Sequence, residues 1–149
     1  MNNALTSSNK QDWGTPQDFF DRVNSLWNLN KDVCASDHNH KLPDYWTEQQ
    51  NALEHDWTPF RCWMNPPYKD IEIWLKKAVN ESLNGCLVVA LIPYRPDTKW
   101  WNDNVRGKGH LIAVIGRLKF EGARDSAPFP SALVVYHNEI LTIKNKVKQ

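Results

Sequence analysis

An even set of cysteines, a long apolar run and a strong net charge are all missing from this sequence. The three cysteines, Cys34, Cys62 and Cys86, are odd in number and widely spaced, which excludes a disulfide framework and predicts a reducing cytoplasm. No apolar run approaches the roughly 18 residues of a membrane span, and the polar N-terminus has no apolar signal core. The formal charge of +1 argues against a strongly basic nucleic-acid binder and against an acidic DNA mimic. Any phosphate contacts must therefore come from local clusters of cations.

Tryptophan, in contrast, is abundant, with eight residues in a chain of 149. A chain of this length buries its own core without disulfides or metal, and some of these rings must belong to that core. So many of them also indicate aromatic surface that can stack on bases or on an adenosyl group.

The pattern of apolar residues predicts an α/β fold. Thr15 is a good N-cap and Pro16 suits the first helical position, so a helix begins there; a second helix follows Asp70 and ends at Gly85. Residues 86–92 are apolar throughout, as in a central parallel strand covered on both faces. Further strands are predicted at 32–35, 61–64, 111–115, 116–120 and 132–136, and a further helix at 97–105. This order predicts a compact mixed sheet with an antiparallel end and flanking helices.

The predicted sheet belongs to a single domain, and its strand ends define a candidate site. The expected parts are a flexible N-terminal tail (1–11), the domain (12–143) and a basic C-terminal tail (144–149). Ser36 and Asp37 follow one strand, residues 65–68 follow another, and residues 93–95 follow a third. Because ligands of such sheets collect beyond the carboxyl ends of the strands, the three segments are expected to converge on one edge.

Residues 65–68 read Asn-Pro-Pro-Tyr, and they carry the most specific chemistry in the sequence. The side-chain oxygen of Asn65 and the carbonyl of Pro66 can each accept one N–H of a planar exocyclic amine, which leaves the lone pair aimed at an electrophile. Pro66 and Pro67 have a fixed φ and no N–H, so the segment is stiff. Tyr68 offers a flat face on which an extruded base can stack. A simple proline turn also fits these four residues, but it does not explain the predicted convergence.

An ordered set of further residues runs from about residue 12 to residue 136. The set consists of Trp13, Gly14, Thr15, Pro16, Phe19, Phe20, Asp32, Val33, Cys34, Ala35, Ser36, Asn39, Tyr45, residues 65–68, Trp74, Lys77, Ala78, Trp100, Trp101, residues 116–120 and residues 128–132. In this order the chain resembles the phage DNA N6-adenine methyltransferases, a compact Dam-type family. The resemblance implies a Rossmann-like methyltransferase fold, S-adenosylmethionine as methyl donor and adenine in double-stranded DNA as acceptor.

The resemblance also implies where the donor binds. By analogy with the larger enzymes of this kind, Trp13, Thr15 and Pro16 are expected to lie against the methionine part of the donor. The turn containing Asp32, Cys34, Ala35 and Ser36 stands in for a glycine-rich loop, since the sequence has no Phe-x-Gly-x-Gly. Asp56 and Trp57 are candidates for contacting the donor's adenine, the carboxylate through its amine and the ring by stacking. Their alternative role is a loop carboxylate beside a core tryptophan.

Contacts with DNA are expected near the adjacent tryptophans Trp100 and Trp101. Arg95, Lys99, Arg106 and Lys108 surround this pair and form the preferred phosphate-contacting patch, with Trp101 as the stacking ring; a plain solvated face is the alternative. Neighbouring residues point in different directions on a helix, so one tryptophan of the pair is expected in the core. Arg117 and Lys119 fit either an ordinary half-buried strand or a DNA-facing sheet edge. Sequence reading is expected from the loops at 37–56, 94–109 and 121–130.

Two other classes of function stay open at this point. The same tetrapeptide also serves methyl transfer to RNA bases and protein glutamines, and a non-catalytic DNA-binding protein can keep the fold. No metal is needed, because the positive sulfonium already activates the methyl group. A zinc site at Cys34, His38 and His40 is not expected, since no second cysteine lies within two to four residues. We expect a protein of the cytoplasm (the host cytoplasm if phage-encoded); an oligomer is possible but nothing indicates one.

Overall fold

The computed structural model describes residues 14–148, which form four α-helices and six strands. The elements are α1 (Gln17–Trp27), β1 (Lys31–Ala35), β2 (Tyr45–Thr47), β3 (Arg61–Met64), α2 (Ile71–Leu83), β4 (Leu87–Pro93), α3 (Lys99–Asn104), β5 (His110–Ala113), β6 (Ser131–Tyr136) and α4 (Asn138–Lys148). The predicted N-terminal tail and Trp13 lie outside the described residues. No helix within residues 14–148 is long and apolar enough to cross a membrane.

All six strands form one sheet in the order β2-β1-β3-β4-β6-β5. Strands β2, β1, β3 and β4 are parallel, and β6 runs antiparallel to both of its neighbours, β4 and β5. The predicted mixed sheet with an antiparallel end and flanking helices is confirmed. We call the edge where the four parallel strands end the carboxyl edge, and the opposite edge, where they begin, the amino edge.

The central strand β4 shows why the sheet is covered on both faces. All seven of its residues are buried. Val88, Ala90 and Ile92 belong to a core shared with α2 and α3, whereas Val89 and Leu91 belong to a second core shared with α1 and residues 120–127. Because side chains alternate along a strand, the uniformly apolar sequence places one layer of packing on each face.

Four local features differ from what the sequence predicted. Residues 116–120 are not a strand: Gly116 turns the chain with φ +75°, and Leu118 and Phe120 enter the second core from a loop. The short strand β2 was not predicted. Residues 144–148 of the predicted basic tail continue helix α4. Thr15 does not cap α1, whose N-cap position is Pro16 without a side-chain hydrogen bond.

Candidate active site

A cavity of about 640 Å³ opens at the carboxyl edge of the sheet. Its walls come from the end of β1 with the loop after it, from the segment after β2, and from the segment after β3. The lining residues are residues 33–39, Thr47, Glu48, Gln49, residues 51–53, Asn65, Pro67, Lys69, Asp70 and Trp74. This volume lies within the roughly 300–1,000 Å³ of small-molecule sites. The segments after β1 and β3 therefore converge on one cavity, as predicted.

Asn65 lines this cavity, directly after β3. Its side-chain Nδ2 donates a hydrogen bond to Thr15 Oγ1 at 3.3 Å. Thr15 is 1% exposed, so the hydroxyl that receives this bond is fixed by its surroundings. The bond orients the amide and directs its carbonyl oxygen Oδ1 away from Thr15. Thr15 and Asn65, predicted for different roles, thus belong to one hydrogen-bonded pair.

The rest of the tetrapeptide forms a stiff wall. Pro66 is buried, and Pro67 is extended with φ −65° and ψ 136°. Tyr68 begins a short 3₁₀ turn, Tyr68–Asp70, and its ring meets Phe129 edge-on at 5.5 Å between centroids. Burial raises the pKa of the Tyr68 phenol above its ordinary value of 10, so the hydroxyl is neutral at neutral pH. Neither Tyr68 nor Phe129 is among the lining residues, although Pro67 and Lys69, on either side of Tyr68 in the chain, line the cavity.

Asp32 organises the loop after β1 without lining the cavity. Its carboxylate is 3% exposed and accepts hydrogen bonds from the backbone N–H of Cys34 at 3.2 Å and of Lys41 at 2.9 Å. Burial raises the pKa of Asp32 to about 6, although these two bonds oppose the shift. Between the two anchored residues, Ser36 pairs with Asn39 in an isolated bridge. The carboxylate thus holds both ends of a turn that forms one cavity wall.

A family model described as DNA N-6-adenine-methyltransferase (Dam) matches residues 2–147 of this chain. The chain belongs to this family. The resemblance stated from the sequence is confirmed. The family's name specifies methylation of adenine N6 in DNA, a reaction that requires a methyl donor.

Two relatives carry the name "DNA N-6-adenine-methyltransferase". The protein of Haemophilus phage HP1 (strain HP1c1) is 34% identical over 110 residues, which cover 72% of this chain and 64% of that protein. The protein of Escherichia phage T1 is 24% identical over 104 residues, which cover 68% of this chain and 44% of that protein. The aligned part of this Dam-family chain therefore spans less than two thirds of either relative.

Within the Dam-family site, the predicted donor residues divide into two groups. Cys34, Ala35 and Ser36 line the cavity, and burial raises the pKa of the Cys34 thiol, which keeps it neutral. The hydroxyl oxygen of Ser36 is buried and makes no hydrogen bond within the described protein. Pro16, half-buried, follows Thr15 at the start of α1.

Asp56 and Trp57 form the second group, which lies away from the cavity walls. Trp57 is fully buried, its indole N–H donates to the Ala52 carbonyl at 2.9 Å, and its ring tilts against Trp74. Asp56 is exposed and accepts hydrogen bonds from Thr58, which lower the pKa of the carboxyl. The alternative reading, a loop carboxylate beside a core tryptophan, describes both residues. Trp57 contributes by supporting two residues that do line the cavity.

The predicted DNA-contacting patch does not form one surface. Arg95 is exposed at the carboxyl edge after β4 and lies 3.4 Å from Asp97. Trp101 is 3% exposed and belongs to the core, so its ring cannot stack on DNA. Lys99 is exposed and pairs with Asp103 at 2.5 Å, within the same helix.

Arg106 and Lys108 lie at the amino edge, away from Asn65. They precede β5, which begins at His110. In the sheet His110 lies opposite Val135 of β6, and Val135 lies opposite Val89, near the start of β4. Since β5 runs parallel to β4, the residues just before it lie where the parallel strands begin. These two cations and the cavity are therefore at opposite edges of the sheet.

Two features of the site were not predicted from the sequence. Phe129 contacts Tyr68 although 61 positions separate them in the chain; it lies within the matched residues 128–132, which was the available signal. Glu48 and Gln49 line the cavity because β2, which no sequence pattern indicated, ends beside it. Among the described residues, no group of three or more His, Cys, Asp or Glu side chains is placed to hold a metal ion.

The loop at 114–130 also lies at the carboxyl edge. Its Glu121 N–H donates to the Gly14 carbonyl at 2.8 Å, and its Pro130 carbonyl accepts from the Tyr94 N–H at 2.8 Å. Lys41 Nζ lies 3.0 Å from Glu121 and so joins the loop to the turn after β1. These bonds place the exposed cations of the loop at the same edge as the cavity.

Proposed function

We propose that this chain transfers a methyl group from S-adenosylmethionine to N6 of an adenine that is turned out of double-stranded DNA in the cytoplasm. The observation that carries the proposal is the Asn65–Thr15 hydrogen bond, whose Asn65 lines a cavity large enough for a small-molecule donor. An oriented neutral amide, followed by two prolines and an aromatic ring, suits a planar amine acceptor.

The cavity residues suit the donor. Cys34 and Ala35 are small, so a ligand can approach the backbone of this turn closely, and the unpaired Ser36 hydroxyl can hydrogen-bond a polar group. The carboxylate of Glu48, at the end of β2, can accept hydrogen bonds from hydroxyl groups. When bound, S-adenosylmethionine supplies a methyl group that its positive sulfonium has already activated.

Asn65 acts on the acceptor by orientation. Its Oδ1 and the Pro66 carbonyl accept the two N–H bonds of the adenine amine, which favours a pyramidal nitrogen with an available lone pair. The neutral amide stabilises the charge that develops on this nitrogen, and alignment of the two reactants supplies the remaining advantage. The half-buried, neutral Tyr68 and its neighbour Phe129 provide aromatic surface for the extruded base.

The decisive experiment measures transfer of labelled methyl from S-adenosylmethionine to adenine-unmethylated duplex DNA, followed by digestion to nucleosides. We expect N6-methyladenine from the wild type and a loss of about a hundredfold or more in Asn65→Ala, as for removal of one hydrogen-bonding group at a developing charge. Asn80→Ala is the matched control, because Asn80 is exposed on α2. Mapping the modified sites would then give the sequence specificity.

Two other outcomes would contradict the proposal. Donor binding by calorimetry without any product on DNA would favour an RNA base or a protein glutamine as acceptor. Neither product nor donor binding would favour a non-catalytic DNA-binding protein.

A further inference from the structure

One apolar side chain on this protein is exposed to an unusual degree. Ile115 is 101% exposed, more than any other large hydrophobic side chain in the described part of the chain. Its neighbours in sequence do not form an apolar patch around it: Gly116 and Arg117 are exposed as well. A single isoleucine in water, followed by an exposed glycine and an exposed arginine, has no role in the packing of the fold.

Ile115 lies at the carboxyl edge, the edge that holds the cavity. It comes two residues after β5, which runs parallel to β4 because both are antiparallel to β6. Strand β5 is three positions from β3 in the sheet, which corresponds to roughly 14 Å at the usual strand spacing. This separation is close to the about 12 Å width of a DNA major groove, so one duplex can reach both Asn65 and Ile115.

The segment that carries Ile115 is anchored. Gly116, with φ +75°, turns the chain directly after it. Leu118 then packs against the second core, and its carbonyl accepts a hydrogen bond from the Ala127 N–H at 2.8 Å. Because Gly116 and Leu118 are fixed so close to it in the chain, Ile115 is held outward in a defined position, at the tip of this segment.

The charges around the tip identify the partner. Arg117 and Lys119 are both exposed and lie two and four residues beyond Ile115. A protein surface that covers an apolar side chain presents an apolar patch, whereas one apolar residue beside two cations matches a base stack bordered by phosphates. Proteins that distort DNA insert single side chains of this type, including isoleucine, between base steps.

We propose that Ile115 is the wedge that enters the base stack where the target adenine leaves the duplex, with Arg117 and Lys119 on the flanking phosphates. This inference rests on the proposed function, since the wedge is assigned to the position that the extruded adenine leaves. Ile115 does not contact the reacting atoms; it stabilises the duplex around the vacated position.

The test compares two duplexes that carry a modified site mapped as above. One is fully paired, and the other has an abasic position opposite the target adenine, which leaves that adenine without a pairing partner. For Ile115→Ala we expect kcat/KM to fall about tenfold on the paired duplex and to stay within about twofold of the wild type on the abasic duplex. Ile115→Leu should restore activity on the paired duplex. Leu26→Ala, which shortens a 72% exposed side chain on α1, should change neither value.

Three results would overturn the inference. Equal loss on both duplexes would mean that Ile115 acts through folding or donor binding. Unchanged activity of Ile115→Ala on both would leave the side chain without a role on DNA, and binding of the wild type to a second copy or to anionic vesicles through Ile115 would then identify another partner. A wild type that makes no N6-methyladenine would remove the proposed function, and the wedge with it.

Discussion

The two edges of the sheet differ in how their polar groups are used. At the amino edge the polar groups bond to one another within the chain. The Arg61 N–H donates to Asn30 Oδ1 at 2.8 Å, and the Arg61 side chain donates to the Trp27 carbonyl. Buried Lys31 donates to Asp44 at 2.7 Å. These bonds connect α1 with β3 and β1 with the segment before β2, although Arg61 and Asp44 are themselves exposed.

At the carboxyl edge, in contrast, two buried hydroxyls have no partner. Within the described residues, Ser36 and Ser131 are the positions with a buried side-chain oxygen that makes no hydrogen bond in the protein. Ser36 follows β1, and Ser131 lies opposite Pro93, the last residue of β4. Native proteins satisfy nearly all buried polar groups. One edge therefore uses its polar groups for stability, whereas the other has hydrogen-bonding capacity that the described protein does not itself use.

The largest expected effect concerns Asp32, which supports the carboxyl edge at a cost in stability. Burial raises its pKa from 3.8 to about 6, so between these pH values the folded protein binds more protons than the unfolded chain. The free energy of unfolding must therefore fall as pH rises through this window. One pKa unit corresponds to about 1.4 kcal/mol, so the free energy of unfolding falls by about 3 kcal/mol in total. The fall levels off once the pH has passed the folded pKa of about 6.

Asp32→Asn removes this titration and is the variant to compare. Urea unfolding of both proteins from pH 4 to pH 7 should show the wild type losing about 3 kcal/mol relative to the variant. The asparagine keeps one acceptor oxygen for the two backbone N–H groups, which adds a penalty that does not depend on pH. Parallel stability curves would show that Asp32 has an ordinary pKa and that the supporting carboxylate carries no such cost.

The next effect separates the edges by their contact with DNA. Replacing Arg117 and Lys119 by alanine at the carboxyl edge should weaken duplex binding about tenfold and reduce the slope of log K against log salt by about two, near 0.9 for each lost phosphate contact. The matched double variant at the amino edge, Arg106→Ala with Lys108→Ala, removes the same charge and should leave the slope unchanged. Fluorescence anisotropy of a labelled duplex at several salt concentrations measures both. Equal changes in the two variants would show that DNA does not distinguish the edges.

The sequence predicted those parts of the fold that local pattern determines. Strand β4 is apolar throughout and α2 has its apolar residues at helical spacing, so both were identified close to their true limits. Strand β2 has three half-buried residues, too few for any period to show. Residues 116–120 alternate polar and apolar side chains as a strand does, but the same alternation lets a loop insert two side chains into a core.

For the site, position relative to strand ends was predictable and burial was not. Asn65 and Ser36 were identified because each follows a strand directly. Trp57 and Trp101 were assigned to ligands, yet both are buried, and a sequence does not reveal which of eight tryptophans fill the core. The Thr15–Asn65 bond joins residues 50 positions apart, so only the folded chain displays it.

The smallest expected effect tests whether the unpaired hydroxyls mark a ligand site. Ser36 lines the cavity and Ser131 is not among its walls, although both lie at the carboxyl edge. If the Ser36 hydroxyl bonds the donor, Ser36→Ala should weaken S-adenosylmethionine binding about fivefold, the usual net value of one hydrogen bond, with little change in thermal stability. Ser131→Ala should leave donor affinity unchanged and stabilise the protein slightly, because it removes a buried group that lacks a partner. Calorimetric titration and thermal unfolding measure the two quantities. If neither variant changes donor affinity, unpaired hydroxyls at this edge do not mark the donor site. The contrast between the edges then rests on Asn65 and the loop at 114–130 alone.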